Sequence, residues 1–201
     1  MNEYVNSSLI KIRVKKKDLF FFSFIGFFVL SLIIAKADLI GSISLILVAL
    51  ITFYFSRYFH SLGTILYVAL CVRLIVIYLG NFLVVLPDSW GDATMFELKA
   101  WQMSQDGFFA VFDKFPSNKT SLIISWVLAF FYSLTDRSVI MGQSLSLLFG
   151  MGSVLLGSHL AKKIWNKKIS IKVGWILALY PTLILYSSLI LREAYVWFFL
   201  L

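Results

Sequence analysis

Long runs of apolar residues, separated by short polar segments, dominate the chain. Four runs are long enough for a membrane-crossing helix, which takes about 20 residues, and a fifth follows a lysine cluster. They are Leu19–Ala35, Leu39–Phe55, Leu62–Leu86, Ser138–Ala161 and, as the fifth, Val173–Leu191. Apolar and polar residues do not alternate along them as they do in the strands of membrane barrels. The pattern therefore predicts an all-α fold, a polytopic bundle of transmembrane helices.

Two further apolar runs are shorter. Leu122–Leu134 has 13 residues, a length typical of an interfacial or re-entrant helix. Ala194–Leu201 has eight residues and is predicted to begin a sixth span. We therefore expect the chain to be truncated within a helix, as the N-terminal part of a longer protein that is inactive as a fragment.

Composition supports this class. The chain of 201 residues is 60% apolar and only 14% charged, with a mean hydropathy of +0.90. Soluble domains carry about 25% charged residues, so too few are present here to cover a water-exposed surface. The dominance of aliphatic residues excludes disorder, and the single cysteine, Cys71, excludes a disulfide scaffold.

The basic residues set the predicted orientation. One cluster (Lys11, Arg13, Lys15, Lys16, Lys17) precedes the first span, and another (Lys162, Lys163, Lys167, Lys168, Lys172) separates two later runs. The positive-inside rule places both in the cytoplasm, which requires that Leu122–Leu134 does not cross. The predicted order is a cytoplasmic N-terminus (1–18), three transmembrane helices (19–86), an external loop (87–137) and transmembrane helices with a basic cytoplasmic loop at 162–172 (138–201). The net charge of +8 then reports orientation and anionic lipid, and not nucleic acid.

The external loop begins with a predicted amphipathic helix. Ala93, Phe96, Ala100 and Met103 fall at helical spacing and form one apolar stripe. Ser89 and Asp92 match a capping box, and Gly107 is placed to end the helix. Asp92 therefore has two interpretations. It is a helix cap, or it is a carboxylate at the membrane surface that accepts a proton from a substrate hydroxyl.

Other charged residues also allow two interpretations. Asp113, Lys114 and Lys119 form a solvated loop with an Asp–Lys pair, or the two lysines bind a phosphate. Arg73, near the middle of a span, contacts a helix carbonyl or hydroxyl, or it binds a lipid phosphate. Arg192 and Glu193 form a surface pair, or Glu193 is a second acid of the Asp92 site.

Small residues mark one span as the centre of the bundle. Gly142, Ser146 and Gly150 recur at four-residue spacing, and Ser153, Gly157 and Ala161 continue the series. Such spacing permits close helix packing. No metal-ligand cluster, phosphate-binding glycine loop or Ser-His-Asp set is visible in the sequence.

The loop resembles the opening of GT-C type glycosyltransferases, which include the aminoarabinose-lipid A transferase and the protein O-mannosyltransferases. These polytopic enzymes take a sugar from a polyprenyl phosphate carrier at the external membrane face. Asp92 and Phe96 are similar to the Asp and aromatic residue of the first long external loop. The run 112–116 (Phe-Asp-Lys-Phe-Pro) is similar to a later acidic-Lys-Pro element, and Tyr180-Pro181 and Glu193 also fit.

The resemblance implies a function and roles. Asp92 acts as the general base, and Lys114, Lys119 or Arg192 stabilises the departing phosphate. A divalent metal, Mg²⁺ or Mn²⁺, held by acids such as Asp113 and Glu193, is the alternative. The implied partners are a polyprenyl-phosphate sugar, a lipid, glycan or protein acceptor, and membrane lipids, and the implied location is a bacterial inner membrane.

Three other functions stay open at this point. A polymerase of lipid-linked oligosaccharide units would be expected to have an arginine-rich site, whereas this loop is rich in acids. A transporter or flippase for a lipid-linked sugar would have charges along a path through the membrane, for which Arg73 is the mid-span candidate. The third is a non-catalytic membrane subunit.

Overall fold

The structure is a computed structural model that describes residues 38–117 and 120–201, and within those ranges every regular element is a helix. The helices are α1 (Leu39–Tyr58), α2 (Gly63–Phe82), α3 (Asp92–Ser104), α4 (Phe108–Asp113), α5 (Ile123–Leu134), α6 (Val139–Ile164), α7 (Lys167–Leu179), α8 (Pro181–Ser188) and α9 (Arg192–Leu200). The short 3₁₀ turn Thr120–Leu122 leads into α5. The predicted segment 1–18, the predicted span Leu19–Ala35 and the candidate residue Lys119 lie outside the described residues.

Helices α1, α2 and α6 are long and apolar enough to cross a membrane, and a fourth span results if α7 and α8 are counted as one bent segment. These helices match three predicted runs with small differences at their ends. Helix α2 stops at Phe82 and not at Leu86, because the N–H groups of Leu83 and Val84 both bond to the carbonyl of Leu79 and close the helix.

Helices α1 and α6 run parallel. Asp38 caps α1 by accepting the Gly41 N–H at 2.7 Å, and Ser138 caps α6 by accepting the Met141 N–H at 3.0 Å. The Ser138 hydroxyl also donates to the second Asp38 oxygen at 2.5 Å, so the two N-termini are adjacent. The rings of Phe59 and His159 meet 6.1 Å apart at the opposite end.

Helix α2 returns to the end where α1 and α6 begin. Near its C-terminus, the Asn81 amide donates to Oε1 of Gln143, close to the start of α6, at 2.7 Å. Residues 83–138 therefore leave and rejoin the bundle at one end. We call this end, which carries Asp38, Asn81 and Ser138, the loop end.

Helix α6 lies at the centre of the packing, as its small residues predict. Sixty-one per cent of its most apolar window is buried, against 33% for α1 and 39% for α2. All six predicted small residues, from Gly142 to Ala161, are buried. At Gly150 a Cβ would lie 2.3 Å from the Cβ of Ser187, so only glycine permits the close approach of α8.

The predicted span Val173–Leu191 is interrupted at Tyr180–Pro181, where the chain breaks into α7 and α8. Helices α7 and α8 meet there at 56°. Proline disfavours a helical conformation in the residue before it and has no N–H, so Tyr180 is extended and Pro181 begins a new helix. The carbonyl of Leu177, which a continuous helix would pair with the N–H of residue 181, is left without that donor.

Arg73 of α2 supplies the missing donors. Its side chain is buried, and Nη1 and Nη2 donate to the carbonyls of Ala178 and Leu177 at 3.0 and 3.3 Å. Nε donates to the Ser187 hydroxyl at 2.8 Å, and Nη1 also reaches the Ala69 carbonyl at 3.1 Å. In the part of the chain that the structure describes, no carboxylate pairs with Arg73. The predicted contact to helix carbonyls and a hydroxyl is therefore confirmed, and one guanidinium joins α2, α7 and α8.

Replacing Arg73 tests this junction. In Arg73→Leu the two carbonyls lose their donors in an apolar interior, and we expect a loss of about 3 kcal/mol in stability, because each unpaired buried polar group costs about 1–3 kcal/mol. Arg73→Lys keeps the charge but not the planar fork, so an intermediate loss is expected. Thermal unfolding in detergent measures this, with the exposed Arg57→Leu as the matched control. Equal midpoints for Arg73→Leu and Arg57→Leu would contradict the assignment.

Candidate functional site

The loop between α2 and α6 folds into a compact unit on the loop end. The predicted stripe of α3 is confirmed: Ala93, Phe96 and Ala100 are buried, Met103 is half-buried, and α3 packs on α5. Two side chains of α5 donate hydrogen bonds to backbone carbonyls of the neighbouring helices α3 and α4. Ser125 donates to the Phe96 carbonyl at 2.9 Å, and Trp126 Nε1 donates to the Val111 carbonyl of α4 at 2.7 Å.

The predicted capping box at the start of α3 is wrong. Gly91 is the N-cap residue, and the Ser89 hydroxyl turns back to the Leu86 carbonyl at 2.6 Å. The turn is closed instead by the Thr94 hydroxyl, which donates to the Ser89 carbonyl at 2.6 Å. After α3, Gly107 has φ 91° and ψ 169°, a conformation that is essentially restricted to glycine, and begins α4.

Asp92 is the first residue of α3, and its side chain is exposed. Across residues 38–117 and 120–201 its carboxylate forms no hydrogen bond and no ion pair, so it does not cap the helix. The positive end of the helix dipole favours a negative charge at this position. The structure therefore leaves the Asp92 carboxylate available to a molecule from outside the chain.

An ion pair between a buried glutamate and a partly exposed arginine, which the sequence analysis missed, fixes α3 to the start of α6. The side chain of Glu97 is 5% exposed. Arg137 donates two parallel hydrogen bonds to the Glu97 carboxylate, from Nε to Oε1 at 2.9 Å and from Nη2 to Oε2 at 2.8 Å. The Arg137 guanidinium also lies over the Trp101 ring, 5.7 Å from its centre.

Tyr132 of α5 completes this cluster. Its hydroxyl lies 3.2 Å from Glu97 Oε1 and 2.9 Å from the carbonyl of Ser138. Burial, reinforced by the neighbouring Glu97 carboxylate, raises the pKa of the Tyr132 phenol, and the bond to Glu97 raises the pKa of Arg137. Both donors therefore keep their protons. In the sequence, this pair was indicated by Glu97 on the buried face of the amphipathic helix, because a buried carboxylate requires a cationic partner.

Lys114 forms an ion pair, but its partner is not the neighbouring Asp113. Its ammonium contacts the Asp106 carboxylate and donates to the Met103 carbonyl, at the end of α3, at 3.1 Å. Asp113 is the exposed last residue of α4. The predicted Asp113–Lys114 pair is therefore replaced by Asp106–Lys114, which holds α4 against α3.

Arg192 and Glu193 form the predicted pair, with Nε 3.2 Å from Oε1. The other Glu193 oxygen is buried and has no hydrogen-bond partner among the described residues. Ala194 and the segment 189–191 belong to the same apolar cluster as Ala93 and Phe96. The starts of α9 and α3, which carry Glu193 and Asp92, are therefore anchored in one core at the loop end.

A divalent metal gains no support from these carboxylates. Within the described ranges, no three His, Cys, Asp or Glu side chains lie close enough together to hold a metal ion. Two acids such as Asp113 and Glu193 do not form a complete ligand set for Mg²⁺ or Mn²⁺. The metal stays a prediction, and no chemical step below depends on it.

Comparisons with known proteins give no assignment. No protein-family model, no curated protein and no solved structure matches the chain. The functional argument therefore depends on the geometry of the loop end.

Glu97→Gln tests whether the ion pair holds α3. The substitution removes one charge of a bidentate pair, and we expect a loss of about 1–2 kcal/mol, less than for a fully buried pair because Arg137 is partly exposed. Amide hydrogen exchange should accelerate in α3 and in the first turn of α6, but not in α7. Asp113→Asn, which changes an exposed carboxylate of the same loop, is the control. Unchanged exchange in α3 of Glu97→Gln would show that the pair does not anchor it.

Proposed function

We propose that the chain is part of a membrane glycosyltransferase that moves a sugar from a polyprenyl-phosphate donor to a lipid, glycan or protein acceptor. The observation that carries the proposal is Asp92, an exposed carboxylate with no partner among the described residues. It lies on a helix that a core, an ion pair and two further hydrogen bonds hold in place. A base must be held rigidly to accept a proton in a defined direction.

In this proposal α1, α2 and α6 cross the membrane, and the loop end faces the outside of a bacterial inner membrane. The lysines at 162 and 163 end α6 far from Ser138, which supports a cytoplasmic position for that end. Exposed aromatic residues on the loop, including Trp90 (79% exposed) and Phe109 (83%), support contact with the interface. The N-terminus is then cytoplasmic.

The proposed reaction is a single displacement. The acceptor hydroxyl oxygen attacks the anomeric carbon, and its proton passes to the Asp92 carboxylate. The bond between that carbon and the phosphate oxygen breaks, and its electron pair leaves with the phosphate. Attack opposite the leaving group inverts the anomeric configuration.

Cations of the loop end stabilise the departing phosphate in this scheme. Arg192 is exposed, and only its Nε bonds to Glu193, so that its terminal nitrogens are available. Lys114 must exchange Asp106 for the phosphate, and Lys119 is the third candidate. Glu193, through its buried oxygen without a partner, is the second acid of the site.

The transporter alternative finds less support. It requires a mid-span charge that faces a path, whereas the buried Arg73 donates to the Ser187 hydroxyl and to carbonyls of α2 and of the α7–α8 break. The polymerase alternative requires arginines aimed at substrate, whereas Arg137 is committed to Glu97.

Cysteine labelling tests the proposed placement of α5. In a Cys71→Ser background, Ile123→Cys and Leu134→Cys put exposed thiols at the two ends of α5. If α5 lies along the outer surface, a membrane-impermeant maleimide labels both from outside, and Lys167→Cys reacts only after permeabilisation. Labelling of one α5 end alone would mean that α5 crosses, and the proposal would fail.

Asp92→Asn tests the catalytic assignment in the full-length protein. The amide cannot accept the proton, so we expect kcat to fall by about 10²–10⁴-fold, the usual contribution of a general base, while insertion and thermal stability stay unchanged. Asp88→Asn, at an exposed acid of the same loop, is the matched control and keeps its activity. Transfer by Asp92→Asn at the rate of the control would exclude Asp92 as the base.

A further inference from the structure

A polar cleft lies on the loop end, beside the Glu97–Arg137 pair. Its volume is about 340 Å³, and its walls come from the starts of α1 and α6 and the end of α2. The lining includes Asp38, Asn81, Phe82, Arg137, Ser138 and Val139. Neither the sequence patterns nor the proposed chemistry at Asp92 uses this cleft.

The polar groups of the cleft have unused hydrogen-bonding capacity. The Asn81 amide nitrogen donates both of its hydrogen bonds, to the Ile77 carbonyl at 2.8 Å and to Gln143 at 2.7 Å. The side-chain oxygen of Asn81 remains as an acceptor. Arg137 bonds to Glu97 through Nε and Nη2, so its Nη1 is a spare donor. Each oxygen of Asp38 accepts one bond and can accept another.

The charges in the cleft balance. Glu97 neutralises Arg137, and the positive ends of the α1 and α6 dipoles offset the Asp38 carboxylate. Among the described residues that line the cleft, a phosphate would meet a carboxylate and no free cation, so this lining does not match an anion. A neutral ligand that both donates and accepts hydrogen bonds matches it. The half-exposed ring of Phe82 adds an apolar wall.

We infer that this cleft binds a sugar ring. Ring hydroxyls donate to Asp38 and Asn81 and accept from Arg137 Nη1, while the apolar C–H face of the ring packs on Phe82. The volume is within the range of small-molecule sites. The inference rests on the proposed function, for which the cleft holds a sugar of the acceptor or of the donor. It assigns substrate binding, and not chemistry, to Asn81 and Asp38.

Protection of a cysteine from labelling tests the cleft. The probe is a membrane-impermeant maleimide on full-length Cys71→Ser protein with Val139→Cys, a half-exposed position in the lining. Free hexoses, N-acetylhexosamines, aminopentoses and inorganic phosphate are added separately at millimolar concentration. Ser117→Cys, at an exposed loop position outside the lining, is the control.

We expect at least one sugar to slow labelling of Val139→Cys, while phosphate has no effect and Ser117→Cys reacts at one rate throughout. Asn81→Ala should weaken this protection about fivefold, the loss of one hydrogen bond. Protection by phosphate, protection by no sugar, or a Val139→Cys thiol already inaccessible in the sugar-free protein would each overturn the inference.

Transfer kinetics separate this inference from the proposed function. Asn81→Ala should raise the KM for the substrate that supplies the bound sugar and leave kcat almost unchanged, and the substrate affected identifies the cleft with acceptor or donor. Sugar protection together with normal transfer by Asp92→Asn would overturn the catalytic assignment and keep the cleft. Loss of transfer in Asp92→Asn without sugar protection would keep the catalytic assignment and overturn the cleft as a sugar site.

Discussion

The arrangement of the loop end depends on the ion pair between Glu97 and Arg137. The two residues lie forty positions apart, on α3 and just before α6, and the partly exposed Arg137 meets the buried Glu97 carboxylate in bidentate geometry. An apolar face alone lets α3 slide or rotate on α5, because hydrophobic contact is not directional. The paired charges and the Tyr132 hydroxyl fix one register. That register determines where Asp92, five residues earlier in α3, presents its carboxylate.

Polar contacts also determine how helices meet in the rest of the described chain. Several polar contacts join helices where they begin or break, since an apolar surrounding makes an unpaired polar group costly. Arg73 repairs the break before Pro181, and the Asp38–Ser138 bond joins two helix starts. Through these contacts α8 brings α9 back to the loop end, where Glu193 and Asp92 share one core. The residues of the proposed site therefore come from three separate parts of the chain, at Asp92, at Lys114 and Lys119, and at Arg192 and Glu193.

The long helices and their central member could be predicted because length, hydropathy and small-residue spacing are local properties. The stripe on α3 is local as well, and it is confirmed by the buried Ala93, Phe96 and Ala100. Contacts between distant residues could not be predicted. Nothing near Glu97 identifies Arg137, and nothing near Asp38 identifies Ser138. The predicted capping box is wrong because Gly91 is the N-cap residue and the Ser89 hydroxyl bonds to the Leu86 carbonyl instead. Pro181 was visible in the sequence, but the two carbonyls at the break that Arg73 contacts were not.

A charge swap measures most directly whether the Glu97–Arg137 pair positions α3, the helix that carries the proposed base Asp92. Glu97→Arg and Arg137→Glu are compared, singly and together, for thermal stability and for sugar transfer in the full-length protein. If the pair sets the register of α3, each single variant places two like charges together and loses both properties, and the double variant recovers a large part of both. A double variant no better than the singles, or singles with normal transfer, would contradict the account.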